Sequence, residues 1–100
     1  MYITVRRYKG NTTLADQLAE RSDEVKAVIE PVSGFRAYYV VRSNDGAATI
    51  TVTDDQSGAE ESSRVAAEWI RTNMPELSAS PPEISAGEVV FATAAQPAHV

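Results

Sequence analysis

Arg6, Tyr8, Tyr38 and Arg42 could hold a charged or oxygenated small molecule, and all four lie in stretches that alternate with period two. A guanidinium offers five N–H donors and a permanent positive charge, and a phenol hydroxyl donates or accepts. Set together with Thr49 and Thr51, they could orient an oxygenated aromatic or enol and stabilise an enolate-like charge. Arg6, Tyr8, Tyr38, Arg42, Thr49 and Thr51 are therefore the candidate ligand-binding face. Tyr and Arg are also enriched at protein interfaces, and a dimer contact with interspersed polar groups is the preferred reading of such a face.

Other chemistries have little to work with. The 100 residues contain no cysteine and a single histidine, His99, near the C-terminus. Thiolate catalysis, disulfides and Cys-based metal sites are thereby excluded. No phosphate loop, dinucleotide fingerprint or nucleophile elbow occurs. Asp54-Asp55 with Glu60-Glu61 could hold a divalent cation, but carboxylates at a helix start are explained by the helix dipole. No metal is expected. The net charge of −5 argues against phosphate-backbone binding. The RNA-binding reading that this element order permits lacks the basic charge it would need. No apolar run approaches the roughly 20 residues of a membrane helix, and no signal peptide is evident at Met1 to Arg7, so a cytoplasmic setting is expected.

The elements that must position these side chains can be read in order. Tyr2 to Tyr8 is a strand with Ile3 and Val5 on one side and Tyr2, Thr4, Arg6 and Tyr8 on the other. Thr13-Leu14-Ala15-Asp16 fits a capping box. Leu14, Leu18, Val25, Val28 and Ile29 then form a helical stripe that Pro31 stops near Glu30. Phe35 to Asp54 reads as a hairpin with Asp45-Gly46 as a two-residue loop. That register sets Asn44 opposite Ala47, Val41 opposite Ile50 and Tyr39 opposite Val52. One face carries Ala37, Tyr39, Val41, Ala48, Ile50 and Val52 and is apolar enough for a core. The other carries Tyr38, Val40, Arg42, Thr49, Thr51 and Thr53 and is mixed. Ser57-Gly58-Ala59-Glu60 fits the stricter capping box and begins a second helix running to about Met74. Its buried stripe is predicted as Ala59, Ser62, Ala66, Trp69, Ile70 and Met74. After a proline-bearing loop, Glu88 to Thr93 is predicted as the last strand.

The order is β-α-β-β-α-β, an α+β ferredoxin-like arrangement. Right-handed crossovers place two helices on one face of a four-stranded antiparallel sheet. The mixed face, with Thr4, Arg6, Tyr8, Tyr38, Val40, Thr49 and Thr51, is expected to be the uncovered one. Residues 1–94 form the domain, and residues 95–100 a flexible tail.

The short first strand, Gly34-Phe35, Asp45-Gly46, Thr53-Asp54-Asp55, Ser57-Gly58-x-Glu60-Glu61-Ser62, the Trp69 helix and Gly87-Glu88-Val89 together resemble the dimeric α+β barrel group. The chain looks most like its small antibiotic-biosynthesis-monooxygenase-type domains. The resemblance implies a homodimer in which two sheets pack into a barrel. It also implies a cavity in which a cofactor-independent monooxygenase could act on an electron-rich aromatic or enol substrate, with no metal or flavin. The alternative is a non-catalytic homodimeric interaction or ligand-sensing domain. Haem-degrading members of the group use an Asn, a Trp and a His. Trp69 and Asn73 could match two of these, but His99 lies in the tail, and Trp69 reads first as core.

Overall fold

The hairpin turns one step earlier than its Asp-Gly pair suggests. In the computed structural model, which describes residues 1–77 and 81–95, the loop is Asn44-Asp45 and Ser43 pairs with Gly46. Neither loop residue takes positive φ; Gly46, at φ 154°, carries the unusual backbone angle instead. A Cβ at that position would lie 2.1 Å from the Tyr8 carbonyl oxygen, so only glycine lets the hairpin end close onto the first strand. Val41 therefore pairs with Ala48 and Tyr39 with Ile50. The slip is two residues, so every side chain keeps its predicted face.

The chain runs β1 (Tyr2–Lys9), α1 (Leu14–Glu20), α2 (Ser22–Ile29), β2 (Phe35–Ser43), β3 (Gly46–Thr53), α3 (Gln56–Asn73), a 3-10 turn (Pro75–Leu77) and β4 (Glu83–Glu88). The sheet order is β2-β3-β1-β4, with every neighbouring pair antiparallel. This is the ferredoxin-like α+β fold. The first predicted helix is two, because Arg21 leaves helical geometry at φ −108° and ψ 30° and serves as the boundary of both. Thr13 holds the N-cap position of α1, but its hydroxyl donates to the Asn11 side chain, 3.3 Å away. The cap of α3 is Asp55, not Ser57. Its extended backbone points the carboxylate at the Gly58 N–H, 3.0 Å away, and Ser57 donates to the same carboxylate.

β4 covers Glu83–Glu88 and not the apolar run 88–93. It is an edge strand with every side chain exposed, so burial leaves no periodic mark on its sequence. Ladder pairing ends at Glu88, opposite Tyr2, and the last bond from this segment is Val89 N–H to the Met1 carbonyl. Val90 and Phe91 lie past the ladder, 91% and 83% exposed. Of the predicted tail, only Ala95 is among the described residues, exposed and without regular structure; His99 lies outside them.

The larger correction concerns which face the helices cover. Thr4, Arg6, Tyr8, Thr49, Thr51 and Thr53 are buried beneath them. The apolar set is on the opposite side from the helices, where Val52 is buried but Tyr39 and Val41 are 56% and 39% exposed. A mixed face can be buried when its polar groups satisfy one another. Here Thr53 donates to the Asp55 carbonyl, Ser62 donates to the Ala59 carbonyl, and Thr51 accepts from Arg6. Small residues on α3 match that face: Ala59 and Ser62 are buried, as the stripe predicted. The apolar core gathers at the other end, where Tyr8 and Ala47 meet Leu14, Ala15, Leu18, Val25 and Met74.

Candidate functional site

Arg6 sits mid-strand on β1 and points under α3, with 2% of its surface exposed. Its guanidinium donates to Thr51 Oγ1 at 3.0 Å, Ser62 Oγ at 2.9 Å and Ser63 Oγ at 3.0 Å. All three acceptors are neutral, and among the described residues none of its ion-pair or hydrogen-bond partners is a carboxylate. Among the described residues its Nε–H has no acceptor, and the buried Thr4 Oγ1 two residues earlier has no partner either. A buried cation without a counter-charge is costly in a folded protein. Burial accordingly pushes the Arg6 guanidinium below its ordinary pKa, while Tyr8 and Tyr38 act the other way.

Two neighbouring openings share Tyr8 and Ile70, and Arg6 lines one of them. The outer cleft holds about 510 Å³ and lies between α3 and the β1–β4 side of the sheet. Arg6 and Tyr8 line its sheet side, and Ser63, Ile70 and Arg71 line its helix side. Pro81, Pro82 and Ile84 form the rim. This volume suits a drug-sized ligand. Behind Tyr8 and Ile70, which belong to both, is a small inner chamber of about 20 Å³ that also touches Tyr38, Thr49, Ala66 and Trp69. Trp69 is held from two sides. Arg21 stacks over its ring at 5.0 Å, and Asn73 donates to its carbonyl at 2.9 Å while accepting from Arg21 at 3.0 Å. The break between α1 and α2 is what brings Arg21 there.

Both tyrosines stay protonated at neutral pH. Burial pushes the Tyr8 hydroxyl up to about 12, with Arg6 pulling it down and Tyr38 pushing it further up. Burial raises Tyr38 as well, against the pull of Arg6 and a hydrogen bond with Thr49. The folded protein thus keeps the Tyr8 proton between about pH 10 and 12, where an unfolded chain has released it. Stability is therefore full below pH 10 and falls as pH rises through that window, by about 2–3 kcal/mol from this group. Urea unfolding of the wild type at pH 9, 10 and 11 should show the fall, and Tyr8→Phe should reduce it to the share that Tyr38 contributes. An equal fall in the variant would show that another group is responsible.

Of the six candidate residues, the structure brings five together. Arg6, Tyr8, Tyr38 and Thr49 line the openings, and Thr51 orients Arg6. They meet under the helices and not on the open face. Arg42 is apart: it is exposed at the hairpin end and ion-paired with Asp16 on α1. The sequence reading missed Ser63, Arg71 and the Pro81-Pro82 rim. The only available signal for Ser63 was its adjacency to Ser62 on the buried stripe. The acidic cluster is spent on other contacts: Asp54 pairs with Arg36, Glu61 with Arg64, and Asp55 caps α3.

No protein-family model matches the chain, and no curated protein matches it in sequence. Solved structures do match in shape. The fold is shared with a monooxygenase. That enzyme, from the gene ActVA-Orf6 of Streptomyces coelicolor, was crystallised in complex with Nanaomycin D. It superposes with a TM-score of 0.66 at 16% identity, over 95% of this chain and 91% of its own. NE2512, a protein of unknown function from Nitrosomonas europaea, superposes equally well, with a TM-score of 0.66 at 19% identity over 96% and 94% of the two chains. At such identities the likeness is one of fold.

Proposed function

We propose that this protein is a monooxygenase acting on an electron-rich phenol or quinol bound as its anion in the outer cleft, without metal or flavin. The observation that carries the reading is Arg6, at the wall of a cleft of ligand size: among the described residues this buried guanidinium has three neutral acceptors, an idle Nε–H and no carboxylate. A phenolate oxygen would supply the missing negative charge. The shared fold with a monooxygenase supports the reaction class.

The chemistry balances with dioxygen alone. The phenol loses its O–H proton, and Arg6 holds the phenolate oxygen. A ring carbon para or ortho to that oxygen gives an electron pair to O₂ and forms a C–O bond. The ring C–H proton then leaves, the O–O bond breaks, and the outer oxygen departs as water. One oxygen atom ends in a quinone carbonyl and the other in water, so the substrate's four electrons reduce both. The apolar walls exclude water from the anion and strengthen its attraction to Arg6.

A homodimer belongs to the same proposal, with the sheets face to face. The uncovered face carries exposed Tyr39 and Val41 beside Val5 and Ile50, an apolar patch that a second copy would cover by two-fold symmetry. A ligand-sensing role without turnover is the second reading. It is favoured by one feature: neither a carboxylate nor an imidazole is among the described residues lining the outer cleft, so no evident base receives the ring proton.

Oxygen uptake against a panel of phenols and naphthohydroquinones separates the two. Uptake should be accompanied by quinone absorbance, and ¹⁸O₂ should label product and water equally. Saturable binding of a phenol with no uptake would leave the sensing role standing and remove the oxygenase.

A further inference from the structure

The inner chamber has no part in holding the phenol, yet it is the most apolar space beside the site. We infer that it is a binding site for dioxygen, a dedicated pocket for one small apolar diatomic next to the substrate cleft. The inference rests on the oxygenase reading for its purpose, but not for its existence.

Size comes first. The chamber holds about 20 Å³. A single water needs about 10–15 Å³ by the same measure, so there is room for little more than one water or one diatomic. Polarity comes second. A buried water also needs two to four polar partners, and apolar cavities stay dry. The wall is almost wholly apolar, built from Leu18, Val25, Val28, Ile29, Ala66 and Ile70 with the rings of Tyr8, Tyr38 and Trp69. The lining exposes hardly any polar surface, which leaves little for water to bond. Dioxygen carries no charge, has almost no hydrogen-bonding capacity and prefers apolar surroundings to water. A recess with so apolar a wall gives a water few partners and favours the gas.

Position comes third. Tyr8 and Ile70 line both spaces, so a diatomic in the chamber is next to whatever fills the outer cleft. Holding two reactants at near-contact distance replaces a three-body encounter by a step within the complex. Trp69 closes this wall, and Arg21 and Asn73 fix the tryptophan from the far side.

The test uses dioxygen itself. Its paramagnetism speeds the relaxation of nearby methyl groups in NMR spectra of the full chain under oxygen pressure, with nitrogen as the reference. Methyls of Val25, Val28, Ile29 and Ile70 should be enhanced several-fold more than those of exposed Ile84 and Val90. Ala66→Leu, which fills the chamber, should abolish the excess. If a phenol is turned over, the same variant should raise KM for dioxygen roughly tenfold or more, the scale at which apolar pockets discriminate by one or two carbons. KM for the phenol should be unchanged. Buried methyls enhanced less than exposed ones in the wild type would overturn the inference, as would an unchanged KM for dioxygen in Ala66→Leu. Enhancement with no uptake on any phenol would sink the oxygenase and leave the gas site in place. Uptake without enhancement would do the reverse.

Discussion

Arg6→Met should leave the protein folded, with about equal thermal stability, while weakening phenolate binding by about 30-fold or more, the scale of losing one partner of a buried charge pair. The two halves of this expectation have one cause. Arg6 is 2% exposed and has only hydroxyl acceptors, so the fold bears the desolvation of a cation without a matching anion. Methionine fills much of the same length with a flexible apolar chain and removes that cost. Ser62 keeps its own bond to the Ala59 carbonyl, whereas fully buried Thr51 loses its bond from Arg6, which offsets part of that gain. Arg6→Lys should fall between the two, since it keeps the charge but loses the fork that reaches Thr51, Ser62 and Ser63 together. Thermal melts and calorimetric titration with a naphthohydroquinone check both halves. A methionine variant that unfolds would make Arg6 a structural residue. One that binds as tightly as wild type would end its role in the cleft.

The second large effect is expected on assembly. The wild type should be a dimer at micromolar concentration, and the double variant Tyr39→Glu, Val41→Glu should be a monomer. Both side chains already face solvent in the single chain, so charging them costs the isolated fold little. In a two-fold contact each substitution occurs twice, and four carboxylates would have to be buried close together. Even about 1–2 kcal/mol for each would raise the dissociation constant by roughly three orders of magnitude or more. Light scattering after size exclusion reads the result directly. A wild type that stays monomeric at micromolar concentration would remove the dimer, and a charged variant that still dimerises would place the contact elsewhere.

Alternation along Tyr2–Lys9 and Phe35–Thr53 was enough to sort side chains into two faces, and it survived a wrong hairpin register because the slip was even. Proline and glycine marked real boundaries: α2 ends at Ile29, two residues before Pro31, and Gly34 takes φ 79° just before β2. Helix pattern placed Ala59, Ser62 and Met74 inside. Elsewhere local signals competed. Asp55 took the α3 cap from Ser57 because its extended backbone aims a stronger acceptor at Gly58. The run Val89 to Ala92 looked more like a strand than Glu83–Glu88, because an exposed edge strand needs no apolar alternation.

The order of elements, the two sets of side chains and the company kept by Arg6, Tyr8, Tyr38 and Thr49 were all set by sequence, since period and turn chemistry are local properties. Which set lies under the helices was decided only in three dimensions. Either face of a sheet can take a helix. The choice depends on whether helix side chains far along the chain, Ser62 and Ser63 on α3, can satisfy the polar groups they bury. No local pattern records a bond between residues 56 positions apart, so the pocket around Arg6 is a product of the tertiary fold.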